Sequence, residues 1–212
     1  MKEKRKPALP TVLAVSAAAL VILALVVAVA IFFVIPRHDE ERGIDNWNAV
    51  KWSSFFRSDE KEIFFRSYVY ADGDYYADAR SSWFRANGVS RAFLWLTYDD
   101  PDVYAAAKAS RLTYAARNGK TPDRTEAFGF TVLSFDDLTS VTRKSTKKID
   151  YQAFGYNDET LTLIFLLFDA YGKKEQPYLE AAQSDYPAFL DRYYGEWFDW
   201  ENGVGIPRAE TD

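Results

Sequence analysis

Apolar and polar positions divide the chain into one unbroken run followed by a series of short patterned segments. Residues 12–35 make the run: 24 positions with Ser16 as the only polar side chain. A helix rises about 1.5 Å per residue, so it would reach roughly 36 Å, against a hydrocarbon core about 30 Å thick. Helical backbone satisfies its own N–H and C=O groups, which lipid cannot do. Pro36 ends the run, because proline cannot extend the hydrogen-bond ladder. The pattern predicts a single transmembrane helix over 12–35.

Beyond the run the pattern changes. Residues 36–46 are charged and read as a juxtamembrane stalk. Trp47, Val50, Trp52, Phe55 and Phe56 read as a first helical piece, or as an interfacial anchor. Residues 61–70 alternate like a strand. Asp72-Gly73-Asp74 is a turn, and Tyr76, Ala79 and Trp83 then fall at helical spacing up to Asn87-Gly88. Residues 92–96 are apolar on both faces and predict a central strand.

Asp100, Pro101 and Asp102 open a helix running to about Arg117. Residues 124–135 read as one strand. Residues 149–156 and 159–168 read as a hairpin turned at Asn157-Asp158. Tyr178, Ala182, Tyr186, Phe189, Tyr193 and Trp197 recur at helical spacing, with a kink or break at Pro187 and an end at Asn202-Gly203.

The order β-α-β-α-β-β-β-α predicts an α+β fold: a two-layer α/β domain with a mixed sheet of about five strands. The expected organisation is a basic tail over 1–11, the transmembrane helix over 12–35, the stalk over 36–46, an extracytoplasmic domain over 47–204 and a disordered tail over 205–212.

Charge sets the expected orientation. Lys2, Lys4, Arg5 and Lys6 precede the run, and the flank after it is mixed in sign. The positive-inside rule then puts the N-terminus in the cytoplasm and the domain outside a plasma membrane. Ala28-Val29-Ala30 resembles a signal cleavage site, but five more apolar residues follow it, so an uncleaved anchor is expected.

Composition narrows the chemistry. The chain is net −5, and setting aside the four bases and one acid of the first six residues leaves 22 bases against 30 acids, net −8. That acidity opposes nucleic-acid binding. No cysteine and no Asn-x-Ser/Thr acceptor is present, which fits a bacterial cell envelope. The one histidine, His38, precedes the domain, so Ser-His-Asp catalysis is not expected. Phosphate-binding glycine loops are absent. Asp72, Asp74 and Asp78 lack the remaining ligands of a calcium loop. Neither catalytic residue, metal nor cofactor is assigned.

One segment combines aromatic bodies with acids: Glu196, Trp197, Asp199 and Trp200. Indole rings beside carboxylates suit a sugar face or a protein partner. These four are the candidate ligand-binding residues. The expected function is a membrane-anchored, non-enzymatic binding or scaffolding domain. Its expected partners are the lipid bilayer through 12–35 and cell-wall glycan or another envelope protein. The alternatives are a tethered carbohydrate-active enzyme using acidic residues and a single-pass envelope sensor.

Overall fold

A computed structural model describes residues 9–31, 36–43, 72–82, 87–117, 122–134, 148–172 and 185–207. The strand expected at 61–70 and the aromatic piece at 47–56 lie outside the described residues.

The apolar run forms helix α1, Leu9–Val29. A π-type turn follows at Ala30-Ile31, so described helical backbone stops short of Ile35. Among the described residues no helix is long and apolar enough to cross a membrane. That finding corrects the transmembrane helix over 12–35, and with it the single-pass, signal-anchor and plasma-membrane assignments.

Seven strands form one antiparallel sheet in the order β1-β2-β3-β7-β6-β5-β4. Their ranges are β1 Arg37–Arg42, β2 Asp72–Ser81, β3 Gly88–Thr97, β4 Asp123–Ala127, β5 Phe130–Ser134, β6 Lys148–Asn157 and β7 Thr162–Tyr171. This corrects the expected mixed sheet of about five strands. Helix α2, Pro101–Arg117, connects two meanders, β1-β2-β3 and β4-β5-β6-β7, which join where β3 pairs with β7.

Both central strands are buried on both faces, which explains their continuous apolar sequence. One face carries Phe93, Trp95, Ile164, Leu166 and Phe168 and packs against helix α3, Tyr186–Tyr194. The opposite face carries Ala92, Leu94, Leu96, Leu163, Phe165 and Leu167, with Tyr104 of α2. Helices therefore cover both faces.

Three local differences account for the revised topology. Tyr75, Tyr76, Ala77 and Asp78 are all buried, so β2 shows no inside-outside alternation, and Tyr76, Ala79 and Trp83 mimic a helix instead. The expected single strand at 124–135 folds back at Phe128-Gly129, where φ is +52° and +76°. That two-residue turn matches the strand twist and needs the left-handed region, which glycine enters freely and phenylalanine rarely. Phe128 is held there by stacking on Trp200, centroids 5.7 Å apart. The expected stalk pairs in full register with β2 as an edge strand. Its charged sequence, and the Arg124 and Glu126 of edge strand β4, discourage further strands from adding.

Of the helical region expected from Tyr178 to Trp197, Tyr178 and Ala182 lie outside the described residues, and the described helix ends at Tyr194. Asp185 caps α3 by accepting from the Ala188 N–H at 3.2 Å, and Pro187 sits in its first turn, so a helix starts at the expected break. After Gly195 the chain forms a small hairpin, β8 Phe198–Asp199 with β9 Val204–Gly205. Trp197 lies after the helix, and Gly205 is paired instead of beginning a frayed tail.

Candidate functional site

Two charged residues interrupt the apolar centre of the sheet. Asp78 of β2 and Arg91 of β3 face each other in register, on the face covered by α3. Their side chains are 1% and 7% exposed. An ion pair at that depth is tolerable only when its remaining donors and acceptors are satisfied.

Arg91 satisfies this condition. Its Nε donates to Asp78 Oδ1 and its Nη2 to Asp78 Oδ2, both at 3.1 Å, a bidentate fork. Nη1 donates to the Tyr193 carbonyl, and Nη2 also donates to Glu196 Oε1. Tyr193 belongs to the last turn of α3, whose carbonyls lack helical partners and carry the negative end of the helix dipole. The guanidinium carbon lies 4.3 Å from the Trp197 ring centre. Burial opposes the charge on Arg91, but bonds to Asp78 and Glu196 outweigh it and hold its pKa above the ordinary arginine value. Arg91 thus ties β2, β3 and the end of α3 together.

Around this pair lies a cleft of about 560 Å³. Arg80 of β2 enters it half exposed, with Nη2 2.7 Å from Asp78 Oδ2 and 3.9 Å from Glu196 Oε1. Its other guanidinium nitrogens meet no acceptor among the described residues. Asp191 and Arg192, exposed in the last turns of α3, complete the charged wall.

His38 and Glu40 of β1 adjoin the cluster. His38 Nε2 is 3.1 Å from Glu40 Oε1 and 3.7 Å from Asp78 Oδ2. The ligating atoms of His38, Glu40 and Asp78 lie within 4.8 Å of one another, which is metal-like spacing. The donor set does not fit a cation well. Arg80 and Arg91 already crowd Asp78 Oδ2 at 2.7 and 3.1 Å, so a metal would have to displace a guanidinium.

The four residues expected to bind ligand separate in the structure. Glu196 lines the cleft. Trp197 and Trp200 are 3% and 4% exposed core residues. Trp197 stacks on Tyr76 at 5.6 Å and 11°, and Trp200 packs among Phe93, Phe128, Phe130 and Phe198. Neither ring offers a face to a sugar. Asp199 builds the β8–β9 turn: Oδ1 accepts the Glu201 and Asn202 N–H groups at 3.1 and 3.0 Å. Asn202 Nδ2 also donates to Oδ2 at 2.7 Å, and this side-chain bond, with the backbone bonds from Asn202 and Glu201, lowers the Asp199 pKa.

Sequence reading weighed Asp78 only as a calcium ligand and missed Arg80 and Arg91. The available signal was a charge inside each of two otherwise apolar stretches, Ala77-Asp78-Ala79 and Arg91-Ala92-Phe93. Opposite charges buried on neighbouring strands are rare unless paired. No family model, curated protein or solved structure matches the chain.

Proposed function

We propose that the sheet domain is a binding domain and not an enzyme, and that the cleft beside Arg80 receives its ligand. The observation that carries this reading is the division of labour between two arginines. Arg91 spends its donors on the protein, whereas Arg80 stands half exposed in the cleft with donors to spare. A rigid floor with an exposed polar anchor is the pattern of a preformed ligand site.

The enzymatic alternative has one observation in its favour. Asp78 and Glu196 both bond Nη2 of Arg91, so two carboxylates do meet. Glycoside hydrolysis needs both carboxylates to reach the sugar. Asp78 is 1% exposed and sealed beneath two guanidinium groups, so of these two only Glu196 meets solvent. With one of the two meeting carboxylates sealed, this pair fits recognition better than acid/base work; the cleft's other exposed carboxylate, Asp191, stands apart on the helix wall.

A thermal-shift screen of polar metabolites against the full-length chain and Arg80→Gln tests the reading. Compounds that stabilise the native chain and lose that effect in Arg80→Gln support it. Hits that persist unchanged in the variant, or turnover of any hit by the native chain, overturn it.

A further inference from the structure

The charges lining the cleft balance. Arg80, Arg91 and Arg192 stand against Asp78, Asp191 and Glu196. A ligand carrying one net charge would leave that charge unmatched in a partly desolvated cleft, which electrostatic complementarity disfavours. A ligand carrying both signs would not.

Each sign has a candidate receptor that the fold leaves available. Arg80, on the sheet wall, keeps guanidinium donors that meet no described acceptor and is half exposed. A guanidinium offers the planar fork that matches a carboxylate. Asp191, on the helix wall, is exposed, and among the described residues no donor bonds its carboxylate. A carboxylate only accepts, so it suits an ammonium. Arg91 and Asp78 do not compete for the ligand, because they saturate each other.

We propose that the ligand is a small zwitterion, with an ammonium and a carboxylate as in a short peptide with free ends. Arg80 takes the carboxylate and Asp191 takes the ammonium. The proposal rests on the cleft being a binding site and adds the chemical class that fills it. The cleft volume of about 560 Å³ falls within the usual range for small-molecule sites.

Calorimetric titration of the full-length chain with three probes tests it: alanyl-alanine, its N-acetyl form and its C-terminal amide. Free alanyl-alanine should bind at least about tenfold tighter than either blocked form, a difference of about 1.4 kcal/mol. Arg80→Gln should abolish the preference over the amide, and Asp191→Asn the preference over the acetyl form. Asp191→Asn should melt with the native chain, and Arg80→Gln, which removes one of the two guanidinium groups on Asp78, should melt lower but stay folded, since the Arg91 fork remains.

A blocked peptide binding within twofold of the free one overturns the zwitterion assignment while leaving a cleft that binds. Binding by none of the three also overturns it, and the broader cleft reading then stands or falls on the metabolite screen.

Discussion

Two ionic clusters each fasten a helix to the sheet, and they differ in the property that decides their worth. At the β2–β3 end, Asp78 and Arg91 bond at 3.1 Å and hold the end of α3. At the β6–β7 turn, Lys108 of α2 bonds Asp158 at 2.6 and 2.7 Å, and Tyr104 donates to the same carboxylate at 2.6 Å. Lys108 also sits 3.9 Å from the Tyr156 ring centre. Compared ion pair with ion pair, Lys108–Asp158 has shorter distances than the Asp78–Arg91 fork. By exposure it is weaker: Asp158 is 60% exposed and Lys108 21%, against 1% and 7% for the first pair. Water and salt screen the second cluster and barely reach the first. Length of contact is therefore a poor guide here, and depth is the better one.

The largest expected effect tests that ordering directly. Arg91→Met leaves Asp78 charged, buried and short of its bidentate partner, and should cost about 3–5 kcal/mol in urea unfolding. Arg91→Met with Asp78→Leu removes both charges and should recover a large part of that loss, because a buried pair is often replaceable by apolar side chains. A single variant within about 1 kcal/mol of the native chain, or a double variant worse than the single, would contradict the comparison.

The same contrast explains what the sequence disclosed. Helix α2 was legible because Asp100, Pro101 and Asp102 are local signals, and Asp100 Oδ1 does accept from the Asp102 N–H at 2.8 Å. The β6–β7 hairpin was legible because its turn residues are polar between two apolar runs; Asn157 Oδ1 accepts from the Glu159 N–H at 2.9 Å. Strand β2 was not, because burial on both faces removes the period of two. Strand β1 was not, because an edge strand can be wholly charged and take its stability from β2. The cleft depends on pairs such as Arg91–Tyr193, 102 positions apart, which no local pattern encodes. The aromatic-acidic segment was visible, but sequence spacing does not show which way a ring points, and both of its indoles point inward.

That inward placement sets the next effect. Trp200→Ala should destabilise the fold by about 3–5 kcal/mol, as expected for emptying a buried aromatic site. Glu196→Gln, at the cleft mouth, should cost far less. If Trp200→Ala kept native stability and lost binding to a glycan, the packing assignment would be wrong.

Alkaline pH produces a loss spread over several buried phenols, of which Tyr76 and Tyr98 carry a share. Burial, helped by Asp74, pushes Tyr76 up to about 12. Burial also pushes Tyr98 up to about 12, against a small opposing effect of Arg111. Each phenol ionises near 10 when unfolded, so the native state favours the protonated form. Their contribution is complete below about pH 10 and is lost as pH rises toward 12. Stability measured from pH 8 to 12 should stay level and then fall across that window. A Tyr76→Phe, Tyr98→Phe variant should show a shallower fall, and an unchanged slope would place the alkaline loss elsewhere.

The exposed cluster carries the smallest effect. Bonds from Lys108 and Tyr104 lower the Asp158 pKa from its ordinary 3.8. A lowered carboxyl pKa contributes stability above the unfolded value, and that contribution is lost as pH falls through the folded one. The window therefore lies below about pH 4, away from neutral conditions. Exposure limits the size, so Lys108→Met should cost no more than about 1 kcal/mol at pH 7 and less in high salt. The native chain should lose more stability than Lys108→Met between pH 5 and 2, since the variant has already lost its main reason for a lowered pKa. A loss at pH 7 as large as that of Arg91→Met would mean that contact distance, and not depth, ranks the two clusters after all.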